Sequence, residues 1–154
     1  MTDAVHRYPV ACSWRGSTAD GYDRYDRSHE ASAPPAPDLA LSGDVAFRGD
    51  ARRWNPEALL VTAAASCQLL SFLAVAARAR VDVVTYRDDA EGVMPEADPP
   101  MRITRVVLRP HITVRGDVPA ARLTHLVEVA HRECFIANSL DSEIVVEPTF
   151  EHVA

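Results

Sequence analysis

The chain has no lysine, and all sixteen of its basic residues are arginines. This absence excludes sites that need a lysine side chain, such as a Walker-type phosphate-binding loop or a Schiff-base enzyme. The 22 acidic residues outnumber the arginines and give a net charge of −6. A basic surface of the kind that holds nucleic acid is therefore missing, and we expect no nucleic-acid partner.

Cysteine is also scarce, with only Cys12, Cys67 and Cys134 in 154 residues. The segment Met1–Arg7 has no apolar core of the kind a signal peptide carries, so we expect a cytoplasmic protein. Three cysteines in that compartment argue against a structural disulfide framework and leave catalytic or metal-binding roles open. Cys12 alternates inward on a predicted strand, so we expect it to be an inert core thiol.

A charge-free stretch from Ala58 to Ala77 has Cys67 at its centre. Asn55, Pro56 and Glu57 precede it as a helix-capping side chain, a proline at the first helical position and an acid in the first turn. These features predict one helix from about Pro56 to Arg78, apolar on all sides and buried through the middle of the fold. A membrane span is the competing interpretation, but the stretch is Ala-rich, contains polar residues and lacks an aromatic belt, so we expect no membrane partner.

The remaining pattern predicts a single α+β domain over residues 1–154, large enough to bury a core without disulfides or metals. A second helix is expected to start near Asp117 and Pro119 and to stop around Cys134 to Asn138. Glu91–Pro100 is predicted to be a loop. The predicted order is β-β-β-α-β-β-α-β, with the six strands over Tyr8–Trp14, Tyr22–Ala31, Leu39–Phe47, Val81–Gly92, Arg102–Val114 and Glu143–Glu151.

Two cysteines on two buried helices suggest redox chemistry. A cysteine reacts as its thiolate, and an apolar helix disfavours that charged form, so a cation must lie close to Cys67. Attack on a peroxide would release an alkoxide and leave a sulfenic acid, which a second thiol can capture as a disulfide. An arginine can stabilise both the thiolate and the leaving oxygen, and a carboxylate can hold that arginine in place. Glu57 is our candidate for the carboxylate.

Two motifs carry a family resemblance. Asn55-Pro56-Glu57 followed ten residues later by Cys67, and Ala130-His131-Arg132-Glu133-Cys134 opening onto Asn138-Ser139, are similar to the OsmC/Ohr family of osmotically inducible and organic hydroperoxide resistance proteins. The resemblance covers about Tyr8 to Thr149. The chain departs from the common pattern at Phe135, where many members have proline after the second cysteine.

The resemblance implies an intertwined homodimer in which curved antiparallel sheets surround two long central helices. It also implies an antioxidant, peroxiredoxin-like enzyme of the oxidative stress response that needs no cofactor. In that enzyme Cys67 would be the peroxidatic residue and Cys134 the resolving residue, joined by a disulfide after each turnover. The expected partners are an organic hydroperoxide and a dithiol reductant such as a lipoyl group.

Arg27 is the first candidate for the catalytic arginine, because related sequences place such a residue in this segment. Arg48, near the start of the long helix, is the second. Glu57 and Cys67 are ten residues apart, which is ~15 Å along one continuous helix. If Glu57 braces the arginine that serves Cys67, the carboxylate is therefore expected to come from the partner's helix.

Two other functions are compatible with the same residues. Cys67, Cys134 and His131 could be three ligands of a metal site with an open position. Alternatively, the chain could be a binding module without turnover, in which an apolar pocket near the helices holds a lipid-like ligand.

Overall fold

The computed structural model describes residues 4–154 and has the predicted α+β character. Two helices and nine strands are present in this part of the chain, where the sequence predicted two helices and six strands. The chain forms two compact units, one ending at Leu59 and the other covering Leu60–Ala154. Each unit has its own sheet structure.

The first unit contains a three-stranded antiparallel sheet. Its strands are β1 (Ala11–Ser13), β2 (His29–Ser32) and β3 (Leu39–Leu41), in the order β1-β2-β3. They are shorter than predicted because turns take up Tyr22–Ser28 and a 3-10 helix forms at Val45–Phe47. The prediction that Cys12 is a core thiol is wrong, since Cys12 lies on the edge strand β1 and is exposed.

Helix α1 (Pro56–Arg78) has the predicted bounds and the predicted cap. The side-chain oxygen of Asn55 accepts the Ala58 N–H at 2.7 Å, which satisfies one of the free donors of the first turn. At the other end, Arg80 adopts a left-handed backbone with φ 57°, and the Val81 N–H bonds to the Ala76 carbonyl at 2.9 Å. This geometry is a helix C-cap of the Schellman type.

The second unit contains two three-stranded sheets. One sheet has the order β4-β7-β9 and the other β5-β6-β8. The pairs β4–β7 and β5–β6 are antiparallel, whereas β7–β9 and β6–β8 are parallel. The strands are β4 (Val83–Asp88), β5 (Glu91–Val93), β6 (Arg105–Leu108), β7 (Pro110–Arg115), β8 (Glu143–Val146) and β9 (Thr149–Val153).

Each long strand predicted for the second unit is two strands in the structure. The chain passes from one sheet to the other at Asp89-Ala90, at Arg109 and at Glu147-Pro148. Pro110 and Pro148 cannot donate a backbone hydrogen bond, so each interrupts a ladder that would otherwise continue. Glu91 and Gly92 lie where the predicted strand and the predicted loop overlap, and they form β5 together with Val93, which was predicted to be loop. The observed order is β-β-β-α-β-β-β-β-α-β-β.

Helix α2 (Ala120–Glu133) lies against the C-terminal part of α1 in the core of the second unit. Leu123, Leu126, Val127 and Ala130 recur at helical spacing along its buried face. They pack with Phe72 and other buried residues of α1 and with Ile112 and Val114 of β7. A second cluster joins Ala64 of α1 to Val106 and Leu108 of β6.

The expectation that α1 is buried on all sides is wrong for the single chain. Its buried residues lie on one face, and only 22% of its most apolar 18-residue stretch is buried. Among residues 4–154 it is the one helix long and apolar enough to span a membrane by length and composition, a property that core helices of soluble proteins share. The opposite, exposed face carries Thr62, Ser66, Leu70, Leu73, Ala74 and Ala77.

Candidate active site

Cys67 and Cys134 meet inside the second unit. Cys67 lies near the middle of α1, and Cys134 is the residue at which α2 ends. Their side chains are hydrogen-bonded to each other, and Cys134 is almost completely buried, with 1% of its surface exposed. The chain therefore holds a half-buried thiol, Cys67, in contact with a buried one, Cys134.

The segment after α2 supplies backbone donors to both sulfur atoms. Cys134 leaves the helix in an extended conformation, and the chain then turns into a 3-10 helix at Ala137–Ser139. This turn directs the Ile136 N–H to Cys67 Sγ at 3.5 Å and the Ala137 N–H to Cys134 Sγ at 3.4 Å. Backbone N–H groups aimed at a sulfur stabilise negative charge on it.

The environment of Cys134 keeps its thiol protonated at neutral pH. Burial raises the pKa of Cys134 to about 11, and the hydrogen bond with Cys67 acts in the same direction. The Ala137 N–H opposes this shift but does not cancel it. A protonated, buried thiol is a poor nucleophile toward solvent reagents and reacts best with a partner already in contact with it.

Two buried polar side chains, Gln68 and Tyr86, lie in the same unit as the two thiols. Gln68, next to Cys67, is 1% exposed and donates to the Val127 carbonyl at 3.4 Å, while its side-chain oxygen has no partner. Tyr86 on β4 packs its ring on Phe72 and also has a buried hydroxyl without a partner. Burial raises the pKa of Tyr86, and the charges of Asp88 and Cys134 add to the shift.

Arg27 lies in the first unit and is held by aromatic rings and backbone carbonyls. Its guanidinium carbon is 4.0 Å from the ring centre of Tyr25 and 4.8 Å from that of Tyr22. The same group donates to the backbone carbonyls of both tyrosines at 2.6 Å. Arg27 is therefore a cation held by neutral partners, and it lines a cavity of about 350 Å³ that also includes Pro56.

Glu57 and Arg48 also belong to the first unit. One carboxylate oxygen of Glu57 is buried and has no hydrogen-bond partner, and no hydrogen bond or ion pair described for residues 4–59 joins Glu57 to Arg27. Arg48 forms an exposed ion pair with Asp23 at 2.8 Å. Because Arg48 is paired with Asp23 at the surface, it is a weaker candidate than Arg27 for the catalytic arginine.

The metal-binding interpretation has no ligand set in the described part of the chain. Residues 4–154 contain no group of three or more His, Cys, Asp or Glu side chains placed to hold a metal ion. His131 is partly buried on α2, and its Nδ1 is a buried atom without a hydrogen-bond partner. Cys67, Cys134 and His131 therefore do not form the predicted three-ligand centre.

The sequence analysis did not identify the tyrosines that hold Arg27 or the backbone groups that donate to the two sulfur atoms. The tyrosines that hold Arg27 precede it by five and two residues, a Tyr-x-x-Tyr-x-Arg spacing that was visible in the sequence. The donors of Ile136 and Ala137 could not be found in this way, because a backbone N–H is common to every residue except proline.

A family match defines the class of protein. The model of the OsmC-like protein family matches residues 49–149, about two thirds of the chain, so the chain belongs to the OsmC-like family. No curated protein shows significant similarity to it.

Solved structures share this fold. An OsmC-like protein of unknown function from Vibrio cholerae is 27% identical, with a TM-score of 0.86 over 94% of this chain and 100% of that one. A putative organic hydroperoxide resistance protein from the same organism, with captopril bound in one of its active sites, is 22% identical, with a TM-score of 0.70 over 97% and 94%. An organic hydroperoxide resistance protein from Legionella pneumophila is 16% identical, with a TM-score of 0.68 over 97% and 99%.

Proposed function

We propose that the protein is a thiol-dependent peroxidase that reduces organic hydroperoxides through Cys67 and Cys134. The observation that carries this proposal is the direct contact between the half-buried Cys67 thiol and the buried Cys134 thiol in the second unit. Family membership and the names of several structural neighbours, organic hydroperoxide resistance proteins, support the same chemistry.

In the first step the Cys67 thiolate attacks one peroxide oxygen. The O–O bond breaks, an S–O bond forms, Cys67 becomes a sulfenic acid, and the departing alkoxide takes a proton to become an alcohol. The Ile136 N–H, 3.5 Å from Cys67 Sγ, supports the negative charge before attack. Cys67 loses two electrons and the peroxide gains them.

In the second step Cys134 captures the sulfenic acid. Its sulfur displaces the hydroxyl group of Cys67, which leaves as water with the Cys134 thiol proton, and an S–S bond forms. Contact between the two thiols makes this capture intramolecular, so it competes well with further oxidation of Cys67. A dithiol then reduces the disulfide by exchange and becomes a disulfide itself.

Arg27 and Glu57 complete the proposed site. The planar guanidinium of Arg27 would stabilise the thiolate and then the leaving oxygen. It is a suitable candidate because its present partners are carbonyls and rings, which leave its charge without a neutralising carboxylate. The buried, unpartnered oxygen of Glu57 can accept a hydrogen bond from such an arginine.

We also propose that the protein acts as a homodimer. The exposed face of α1 between Thr62 and Ala77 carries no charge and includes large apolar side chains, with Leu70 63% and Leu73 37% exposed. An apolar helix face of this length is costly to leave in water, and a second copy related by a two-fold axis would cover both copies of it. A single domain over residues 1–154 and a cytoplasmic location are further parts of the proposal, and the family match across residues 49–149 supports the first.

Steady-state turnover of an alkyl hydroperoxide with a dithiol reductant tests the proposed activity. Cys67→Ser should abolish turnover because it removes the nucleophile. Cys12→Ser is the matched control, since Cys12 is the exposed third cysteine and should leave the rate unchanged. Full activity of the Cys67→Ser variant would show that the proposal is wrong.

A further inference from the structure

Two cavities in the first unit share a wall made by Trp14 and His29. One has a volume of about 350 Å³ and is lined mainly by apolar groups, including the Tyr25 ring and Pro56. The other has a volume of about 450 Å³ and is lined by polar groups, including Ser13 and Arg15. Both volumes fall within the range of small-molecule sites, and together they offer an apolar and a polar compartment side by side.

The polar cavity carries an excess of positive charge. Arg15 and Arg53 line it with one opposing carboxylate, that of Glu30, which leaves a net charge of +1 in a chain whose overall charge is −6. Neither arginine forms an ion pair among residues 4–154. Two acids outside the cavity lining, Asp26 and Asp50, lie in electrostatic reach of Arg53. Asp26 accepts the Ser28 N–H at 2.8 Å, and Asp50 is paired with Arg52 at 2.9 Å.

The shared wall is fixed by its own hydrogen bonds. The Trp14 indole donates to the Asp26 carbonyl at 2.7 Å and meets the Tyr25 ring edge to face, 6.2 Å between centres. His29 Nδ1 is 2.8 Å from the Arg27 carbonyl oxygen, so Nδ1 carries the proton and Nε2 remains available to a ligand. A fixed wall means that both compartments exist before a ligand arrives, which lowers the entropic cost of binding.

We propose that these joined cavities bind an amphiphile with an anionic head group, a carboxylate or a phosphate. The head group lies between Arg15 and Arg53, whose planar forks suit either anion, and the Ser13 hydroxyl is a further donor. The apolar body of the ligand lies against Trp14 and Tyr25 in the adjoining cavity. The apolar cavity is also lined by Arg27, the candidate catalytic arginine, but the proposed site involves neither cysteine, and its occupation does not depend on peroxide turnover.

Fluorescence titration with non-peroxidic ligands tests the proposal. The full chain carrying Trp54→Phe keeps Trp14 as its one tryptophan, and the added Cys67→Ser change removes the proposed nucleophile. Dodecanoate, dodecyl phosphate, dodecanol and inorganic phosphate are titrated below their aggregation concentrations. We expect saturable changes in Trp14 emission with dodecanoate or dodecyl phosphate, and at least about tenfold weaker binding of dodecanol and of inorganic phosphate. The two anionic ligands distinguish a carboxylate site from a phosphate site.

Arginine variants show whether the polar cavity holds the head group. Arg15→Gln and Arg53→Gln should each weaken binding of the anionic ligand by about tenfold and leave dodecanol unaffected. Arg24→Gln is the matched control, because Arg24 is exposed in the same unit and lines neither cavity. Equal affinity for dodecanol and the anionic ligands, an equal loss in the Arg24→Gln variant, or no saturable binding would each overturn the proposal.

Discussion

The Cys67 and Cys134 side chains are hydrogen-bonded to each other although 67 residues separate them in the sequence. One is in the middle of a helix and the other is where a second helix stops. The contact requires α1 and α2 to pack together, so the core that stabilises the second unit also positions the two thiols.

The raised pKa of Cys134 predicts a loss of stability at alkaline pH. An unfolded cysteine ionises near pH 9.0, whereas the folded Cys134 thiol keeps its proton to about 11. Between these values the unfolded chain releases a proton that the folded chain retains, so the free energy of unfolding falls as the pH rises. Below pH 9.0 the contribution of Cys134 is constant.

Denaturant titrations of the reduced protein and of Cys134→Ala measure this effect. The stability of the wild type relative to the variant should decline from pH 9.0 to about 11. If the stability difference between the wild type and Cys134→Ala stays constant over that interval, Cys134 ionises equally easily in the folded and unfolded chain.

The buried Tyr86 hydroxyl has no hydrogen-bond partner, so we expect it to contribute little to the free energy of unfolding. Tyr86→Phe removes a buried donor without a partner and keeps the ring on Phe72, so unfolding free energy should change by less than about 1 kcal/mol, or rise. Phe72→Ala is the comparison, because truncating this fully buried ring should cost about 3–5 kcal/mol. A loss above about 2 kcal/mol for Tyr86→Phe would show that the hydroxyl is hydrogen-bonded in solution.

The exposed face of α1 predicts where subunits associate. Leu70→Glu places a charge in the proposed interface and should shift the protein from dimer to monomer in sedimentation equilibrium. Val84→Glu is the control, since Val84 is an exposed apolar residue on β4, 43% accessible, and should leave the dimer intact. A monomeric wild type, or equal dissociation of both variants, would contradict the assignment.

The proposed role of Glu57 predicts complementation between two inactive chains. Glu57→Ala and Cys67→Ser are refolded together, and heterodimers should regain one intact site if Glu57 of one protomer serves Cys67 of its partner. Neither the Glu57→Ala homodimer nor the Cys67→Ser homodimer should reach the turnover rate of the heterodimer. If the mixture is no more active than the two variants alone, Glu57 and Cys67 act within one chain or do not act together.

The helices could be predicted closely because their signals are local. Asn55, Pro56 and Glu57 fix the start of α1, and the apolar spacing from Leu123 to Ala130 fixes the face of α2. The strands were harder, since the alternation in Arg102–Val114 continues through Arg109 while the backbone changes sheets there. In the sequence, only Pro110 and Pro148 indicate where the chain changes sheets.

The site could be predicted in part. Cys67 and Cys134 were chosen from their positions on two predicted helices and from the family resemblance, but their contact depends on tertiary packing that no local pattern encodes. The same limit explains the error at Cys12, where alternation could not distinguish the core face of a strand from an exposed edge. Arg27 and Glu57 remain predictions.

Thiol counting after one equivalent of an alkyl hydroperoxide tests the peroxidase proposal most directly. The fully reduced protein has three thiols, and we predict the loss of two, with peptide mapping joining Cys67 to Cys134 and leaving Cys12 free. Cys134→Ser should instead accumulate a sulfenic acid on Cys67 that a dimedone probe labels. Three thiols remaining after exposure to the peroxide, or a disulfide that includes Cys12, would contradict the account.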